Sequence, residues 1–309
     1  MQPKASSSHK AARFIGRVFA LLGVTLSVVL LAAVGCVAVL CKGPSVTAQA
    51  LFVTTVSQNK ITAMVPRLFL SAKEIETIAA QNTVLPVAAV SEPFVFEKQQ
   101  GAVLPVQTQK ISGSTYAGTL VLVADPSRVS VAAAPFGETA AGMSLAEFTA
   151  QTQAELAVAG GTAVSAGMPE GLVFAGGKKL QGNDTITTYT VAAFDAGHRL
   201  LVGQLTGMQA AERGVRDAVS CRAALIVNGK SAEVLGTGGG LYRCTAIGQR
   251  ADGTVLLLTL AGKEWWQPGA TYQDCLAVMK QNGAVNAAVL NDTLFTSRQR
   301  NMPTAVIVK

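Results

Sequence analysis

Histidine is nearly missing from this sequence, with only His9 and His198 among 309 residues. A multi-histidine zinc site or a histidine-based triad needs imidazoles that the chain does not have; no metal-ligating residues and no cofactor are assigned, and a metal requirement stays open. His198 follows Asp195-Ala196-Gly197 and reads as a solvated turn residue. Charge is scarce too: 14% of residues are charged and 50% are hydrophobic, a balance that suggests a membrane segment. No acidic residue precedes Glu74, whereas Lys4, Lys10, Arg13, Arg17, Lys42, Lys60, Arg67 and Lys73 all lie in that stretch. The net charge of +7 therefore belongs to the N-terminal end, and no nucleic-acid-binding face is expected. Of the five cysteines, Cys36 and Cys41 lie in or beside an apolar run, leaving Cys221, Cys244 and Cys275. That odd remainder excludes a disulfide framework; it leaves open a Cys221–Cys244 bridge outside the cell or unpaired thiols. Internal repeats and low-complexity tracts are absent as well.

What the chain does have begins with Val18 to Leu40, an uninterrupted uncharged stretch. It is long enough for a hydrocarbon core of about 30 Å. The cations before it place the N-terminus in the cytoplasm. A cleaved signal peptide is the rival, but the apolar run exceeds a typical signal core. A lipoprotein-type Cys36 is disfavoured because Val37 to Leu40 stay apolar. The expected organisation is a basic tail (1–17), a single-pass signal-anchor (18–41), a stalk (42–105) and an extracytoplasmic domain (106–309) at the plasma membrane.

Within the stalk, Ser71 and Glu74 form a capping box that opens a short helix over Ala72 to Ala80. Further on, turn residues punctuate apolar runs. Tyr116 to Val123 should return through Val129 to Ala133. Gly176-Gly177, Asp195-Ala196-Gly197 and Asn228-Gly229 should close further hairpins. Helices are expected from Ser144 to about Val158, from Thr206 to Gly214 and after Thr271. Thr254 to Leu260 is apolar nearly throughout, as in a strand covered on both faces. Ala284 to Leu290 and Thr304 to Val308 complete the set. Hairpins with interspersed helices indicate an α+β fold, a mixed β-sheet domain with a few packed helices. Gly236 to Gly240 lets the backbone pass close to something else, and lacks the Lys-Ser/Thr of a nucleotide loop. Asn183-Asp184-Thr185 and Asn291-Asp292-Thr293 are formal glycosylation sequons. Trp265-Trp266 could stack on a sugar, serve as an exposed contact or pack in the core.

The run from Thr245 to Leu258, Thr-Ala-Ile-Gly-Gln-Arg-Ala-Asp-Gly-Thr-Val-Leu-Leu-Leu, resembles the phosphodiester glycosidase family, especially its membrane-anchored bacterial members. The resemblance continues through residues 213–220, 224–230 and 269–272, and through Gly43-Pro44-Ser45 and Phe69-Leu70-Ser71. It implies action on, or binding of, sugar-1-phosphodiester glycans of the cell envelope. Such chemistry needs a carboxylate and a cation for the phosphate oxygens. Three family segments depart from their pattern here. An Asn-x-Gly-Gly-Phe segment corresponds to Val158-Ala159-Gly160-Gly161-Thr162, which keeps only the glycines. A Pro-Arg-Thr segment corresponds to Arg243-Cys244-Thr245, and an Asn-Leu-Asp-Gly-Gly segment to Val289-Leu290-Asn291-Asp292-Thr293. The Arg position is thus Cys244 and the Asp position Asn291, while a Gly-Pro pair becomes Arg222-Ala223. These losses imply a catalytically eroded relative. In the active alternative, Asp292 is the displaced carboxylate and Arg243 the phosphate holder. Gly160, Gly161, Thr245, Gly239 and Gly240 are the expected substrate-binding positions. A non-catalytic glycan-binding module and a structural or interaction protein, its cleft filled by Arg222 and Phe295, are the other readings.

Overall fold

The computed structural model describes residues 7–57, 62–96, 105–262, 269–293 and 301–309. Trp265, Trp266, Leu294 and Phe295 lie outside them. Among the described residues the chain forms seven helices: α1 (Ser7–Lys42), α2 (Val46–Val56), α3 (Met64–Arg67), α4 (Ala72–Gln81), α5 (Leu145–Thr152), α6 (Gly207–Glu212) and α7 (Tyr272–Gln281). The 27 residues Gly16–Lys42 of α1 include an 18-residue window with a mean hydropathy of 2.7. At 1.5 Å per residue they span roughly 40 Å, enough to cross a bilayer. Such a helix is compatible with a single-pass anchor or with a signal sequence.

The segment expected to be a stalk with one helix is more structured than that. The side chain of Ser45 caps α2 by accepting from the amide of Ala48, and the Ser71–Glu74 capping box opens α4. Cys41 and Val37 of α1 pack with Val53 and Phe52 of α2, with Phe69 and Leu70, and with Ile75 and Ile78 of α4. These apolar side chains form a small core of their own. The chain then runs extended over the globular part. Val84 bridges to Val234, and the amide of Leu85 donates to Glu233 O at 2.9 Å. Ser91, fully buried, donates its amide to Val202 O (2.9 Å) and accepts from the Val202 amide through Oγ (2.7 Å). Gly203 is needed beneath this crossing: a Cβ there would lie 2.5 Å from Ala89 O.

The globular part is α+β. All its strand pairs are antiparallel among the described residues. A seven-stranded sheet runs in the order Gln107–Ser112, Tyr116–Val123, Val255–Gly262, Arg243–Arg250, Ala284–Thr293, Ala223–Val227, Lys230–Ser231. On one face, α7 contributes Cys275, Val278 and Met279 to a core with Leu256, Leu258 and Leu260. On the other, Val255, Leu257, Ala288 and Leu290 meet Phe194, Leu200 and Val202 of a five-stranded sheet. Val306 and Val308 of a three-stranded sheet join that second core. Burial on both faces accounts for the apolar run that ends at Leu260.

Two expectations need correcting. Val129–Ala133 does not return along Tyr116–Val123; it pairs with Thr304–Val308. Helix α5 ends at Thr152, because Gln153 turns left-handed (φ 54°) and Leu156–Ala159 joins the same three-stranded sheet. Leu-Ala-Val-Ala fits either element locally, and the free edge of Thr304–Val308 decides it.

The docked segment predicts where the domain can be cut. A fragment starting at Val106 loses Ser91 and three valines, Val84, Val87 and Val90, from its cores. Each valine is worth at most about 1.5–3 kcal/mol at full burial. Chemical denaturation should find this fragment clearly less stable than one starting at Thr83; equal midpoints would refute the docking.

Candidate functional site

The site is set by a slip in one strand pairing. Along Arg243–Arg250 and Ala284–Thr293, Ala246 faces Val289 but Thr245 faces Asn291, leaving Leu290 as an extra residue. Such a bulge changes which way the following side chains point. Asn291 sits with Thr245 toward the second core, where its Nδ2 donates to Gly161 O at 2.9 Å. Asp292 sits opposite Cys244 on the α7 side. Arg243 lies opposite Thr293, so it is on the other face from Asp292, and its side chain is exposed. The expected Asp292–Arg243 pair therefore does not converge.

A different arginine reaches Asp292. Arg222 lies at the join where the chain leaves Val215–Ser220 of the five-stranded sheet and enters Ala223–Val227 of the seven-stranded one. Backbone bonds fix this join: Cys221 N donates to Thr190 O and Arg222 N to Val289 O, each at 2.8 Å. Arg222 Nε then donates to Asp292 Oδ1 at 2.7 Å. Tyr272, the first residue of α7, donates its hydroxyl to Asp292 Oδ2 at 2.6 Å. The Asp292 side chain is 3% exposed, so its charge is compensated inside the protein. Outward, Arg222 Nη1 lies 3.5 Å from Glu170 Oε2, and Glu170 is half-exposed. Thr162, Glu170, Ser220 and Arg222 line a cavity of about 280 Å³ beside this pair.

Electrostatics follow from burial and from this carboxylate. Burial pushes the Tyr272 hydroxyl well above the usual tyrosine value, and the nearby Asp292 charge and their hydrogen bond add to it. Burial opposes ionisation of Arg222, yet Asp292, Tyr272 and Glu170 together hold its pKa above the ordinary value. Contact with Cys275 raises the Cys244 thiol well above its usual range, with burial and Asp292 contributing. Burial alone pushes Cys221 up to about 12. These thiols are poor nucleophiles. Cys221 and Cys244 belong to cores on opposite faces of the large sheet and are not bridged.

The glycines named from the sequence separate into two neighbourhoods. A Cβ on Gly160 would lie 2.5 Å from Thr304 Oγ1, and one on Gly161 would lie 2.2 Å from Ser220 O. Both permit close backbone packing beside Asn291. A Cβ on Gly240 would meet Tyr242 Oη at 2.6 Å and Thr55 Cα at 2.7 Å, so the glycine-rich loop is packed against α2. Gly239 belongs to the same loop, its carbonyl accepting from Thr237 Oγ1 at 2.7 Å. Thr245 is buried. His198 is in a turn, with Nδ1 2.6 Å from Arg216 Nη1. No group of three metal-ligating side chains occurs among the described residues. Arg222, Tyr272 and Glu170 were not expected site residues, although Arg222 marked a departure from the family pattern and Tyr272 closed a matching run.

Residues 152–291 match the family model described as phosphodiester glycosidase. Among solved structures, the zebrafish N-acetylglucosamine-1-phosphodiester alpha-N-acetylglucosaminidase catalytic domain, auto-inhibited by its pro-peptide, is similar over 71% of this chain and 87% of that one. The TM-score is 0.55 at 18% identity, a likeness of fold. A hypothetical protein from Synechocystis has a TM-score of 0.43 at 13% identity, covering 66% of this chain and 62% of that one. A putative exported protein from Burkholderia pseudomallei also has a TM-score of 0.43, at 14% identity, covering 62% and 74%. The comparison with curated proteins found no match.

Because its partners are fixed, Asp292 should matter for stability. Asp292→Ala should cost roughly 1–3 kcal/mol, the cost of a broken buried pair discounted for the partly exposed Arg222. Tyr272→Phe should cost about 1–2 kcal/mol, and Arg243→Ala less than about 0.5. Tyr272 has a raised folded pKa, so its contribution is complete below about pH 10 and is lost as pH rises through the raised value. Unfolding curves from pH 7 to 11 should accordingly fall more steeply for the natural chain than for Tyr272→Phe. Parallel curves would contradict the assignment.

Proposed function

This chain carries a phosphodiester glycosidase family domain, and from that premise we propose that it is a membrane-anchored member that binds sugar-1-phosphodiester glycans of the cell envelope without hydrolysing them. The observation that carries this reading is the engagement of both Asp292 oxygens, one by Arg222 and one by Tyr272. A carboxylate held this way gives up a charge-assisted pair before it can accept a proton. The neighbouring position is equally committed. Asn291 donates to Gly161 O, and an aspartate in its place would bring a charge without a hydrogen to the same carbonyl. Arg222, partly exposed at the cavity rim, is the cation available to a phosphate group.

Anchoring is the second half of the proposal. Cys41 is fully buried against Val53 and Leu70, so removing α1 as a cleaved signal would open that core. We place the N-terminus in the cytoplasm and the domain outside the plasma membrane, following the basic residues before α1.

Glu170 supports a second, hydrolytic reading. It is the half-exposed carboxylate beside Arg222, and a carboxylate in that position could protonate a leaving oxygen. One experiment separates the two. The purified full chain in detergent is assayed for turnover and, by calorimetry, for binding on a panel of sugar-1-phosphodiesters. Binding without turnover, weakened at least about tenfold by Arg222→Ala, supports the non-hydrolytic proposal. Turnover abolished by Glu170→Gln establishes the hydrolytic one. Turnover that disappears with Asp292→Ala but survives Glu170→Gln would make Asp292 the reacting carboxylate and overturn both.

A further inference from the structure

We propose that α2 and α3 form a docking face that lies in the headgroup region of an anionic bilayer, holding the globular domain at a fixed orientation on the membrane. The proposal rests on α1 being an uncleaved anchor.

Val46, Met64 and Leu68 are 74%, 65% and 78% exposed, a high exposure for apolar side chains in so short a segment. What covers them follows from continuity. Only Gly43, Pro44 and Ser45 separate α1 from α2. The last apolar turn of α1, through Val37 and Cys41, packs on Phe52, Val53, Phe69 and Leu70. Elements that touch the final turn of a spanning helix sit within about one helical turn, roughly 5 Å, of the hydrocarbon edge. Leu68 immediately precedes Phe69, and Met64 begins the single turn of α3 that leads into it, so both lie near that boundary.

Charge agrees with this placement. Lys42 ends α1, Arg67 ends α3, and Lys73 lies in the first turn of α4. Acidic residues of the cluster are confined to α4, Glu74 and Glu76, and Glu74 is turned back onto the Ser71 amide and hydroxyl. Apolar side chains flanked by Lys and Arg are what an interfacial segment presents to anionic lipid.

The docked helices also grip the domain. Thr55 Oγ1 of α2 accepts from the Leu241 amide at 2.9 Å, and Asn82 Oδ1, just after α4, accepts from the Thr237 amide at 3.0 Å. The glycine-rich loop therefore ties the membrane face to the strand that carries Cys244.

The test is nitroxide depth measurement on the full chain in phosphatidylethanolamine–phosphatidylglycerol vesicles, in a Cys36→Ser background. Labels go on the Met64→Cys and Leu68→Cys variants, both at exposed positions that leave the core intact. Controls are Val164→Cys and Ile186→Cys, equally exposed apolar positions on the domain, and Leu26→Cys in the middle of α1. The proposal expects nickel-chelate accessibility at positions 64 and 68 at least about threefold lower than at 164 and 186. It also expects that difference to shrink in phosphatidylcholine vesicles. Accessibility equal to the domain controls, with position 26 shielded, overturns the docking face and leaves the anchor standing. Water-exposed label at position 26 overturns both. An unchanged difference in phosphatidylcholine overturns the anionic component.

Discussion

Two strands of unequal count meet at the site. Leu290 and Asn291 together occupy the space that faces one residue of Arg243–Arg250, and the side chains beyond them are rephased. One consequence is that Asn291 reaches Gly161 across the sandwich. The other is that Asp292 turns toward α7, where Arg222 and Tyr272 meet it. Without the extra residue Asp292 would lie in the second core, far from either donor. The bulge thus makes a buried charge tolerable, and it separates Asp292 from Arg243.

From Asp292 the contacts continue to the N-terminal helices. Tyr272 packs against Tyr242 with ring centres 5.6 Å apart, and Tyr242 Oη accepts from the Gly240 amide at 2.5 Å. Gly240 lies against Thr55 of α2, whose helix packs on the end of α1. The apolar N-terminal helix and the site are therefore two ends of one packed chain of contacts, not a domain on a loose tether.

Much of the fold was legible because it is local. Asn228-Gly229 adopts the positive φ values that its hairpin needs (52° and 74°). The capping boxes at Ser71, Ser144 and Thr271 open helices where their spacing places them. What escaped the sequence depends on distant partners. Val84 to Ser91, broken by Pro86, gave no periodicity, and its place follows from the edge formed by Glu233 and Leu235. Arg222 stands 70 residues from Asp292, and the bulge that brings them together leaves no mark in either strand's composition. The family motifs fall on two neighbouring strands, yet a single slip in register turns Arg243 to the face away from Asp292, which Arg222 reaches instead.

A crystal structure of the protein bound to a sugar-1-phosphate tests the central claim most directly. The account predicts that Arg222 Nε stays on Asp292 Oδ1 and Tyr272 on Oδ2, with the phosphate held by the outer edge of Arg222 at the Glu170 rim. An Arg222 side chain that has swung onto the phosphate, leaving Asp292 free to face the sugar, would contradict it.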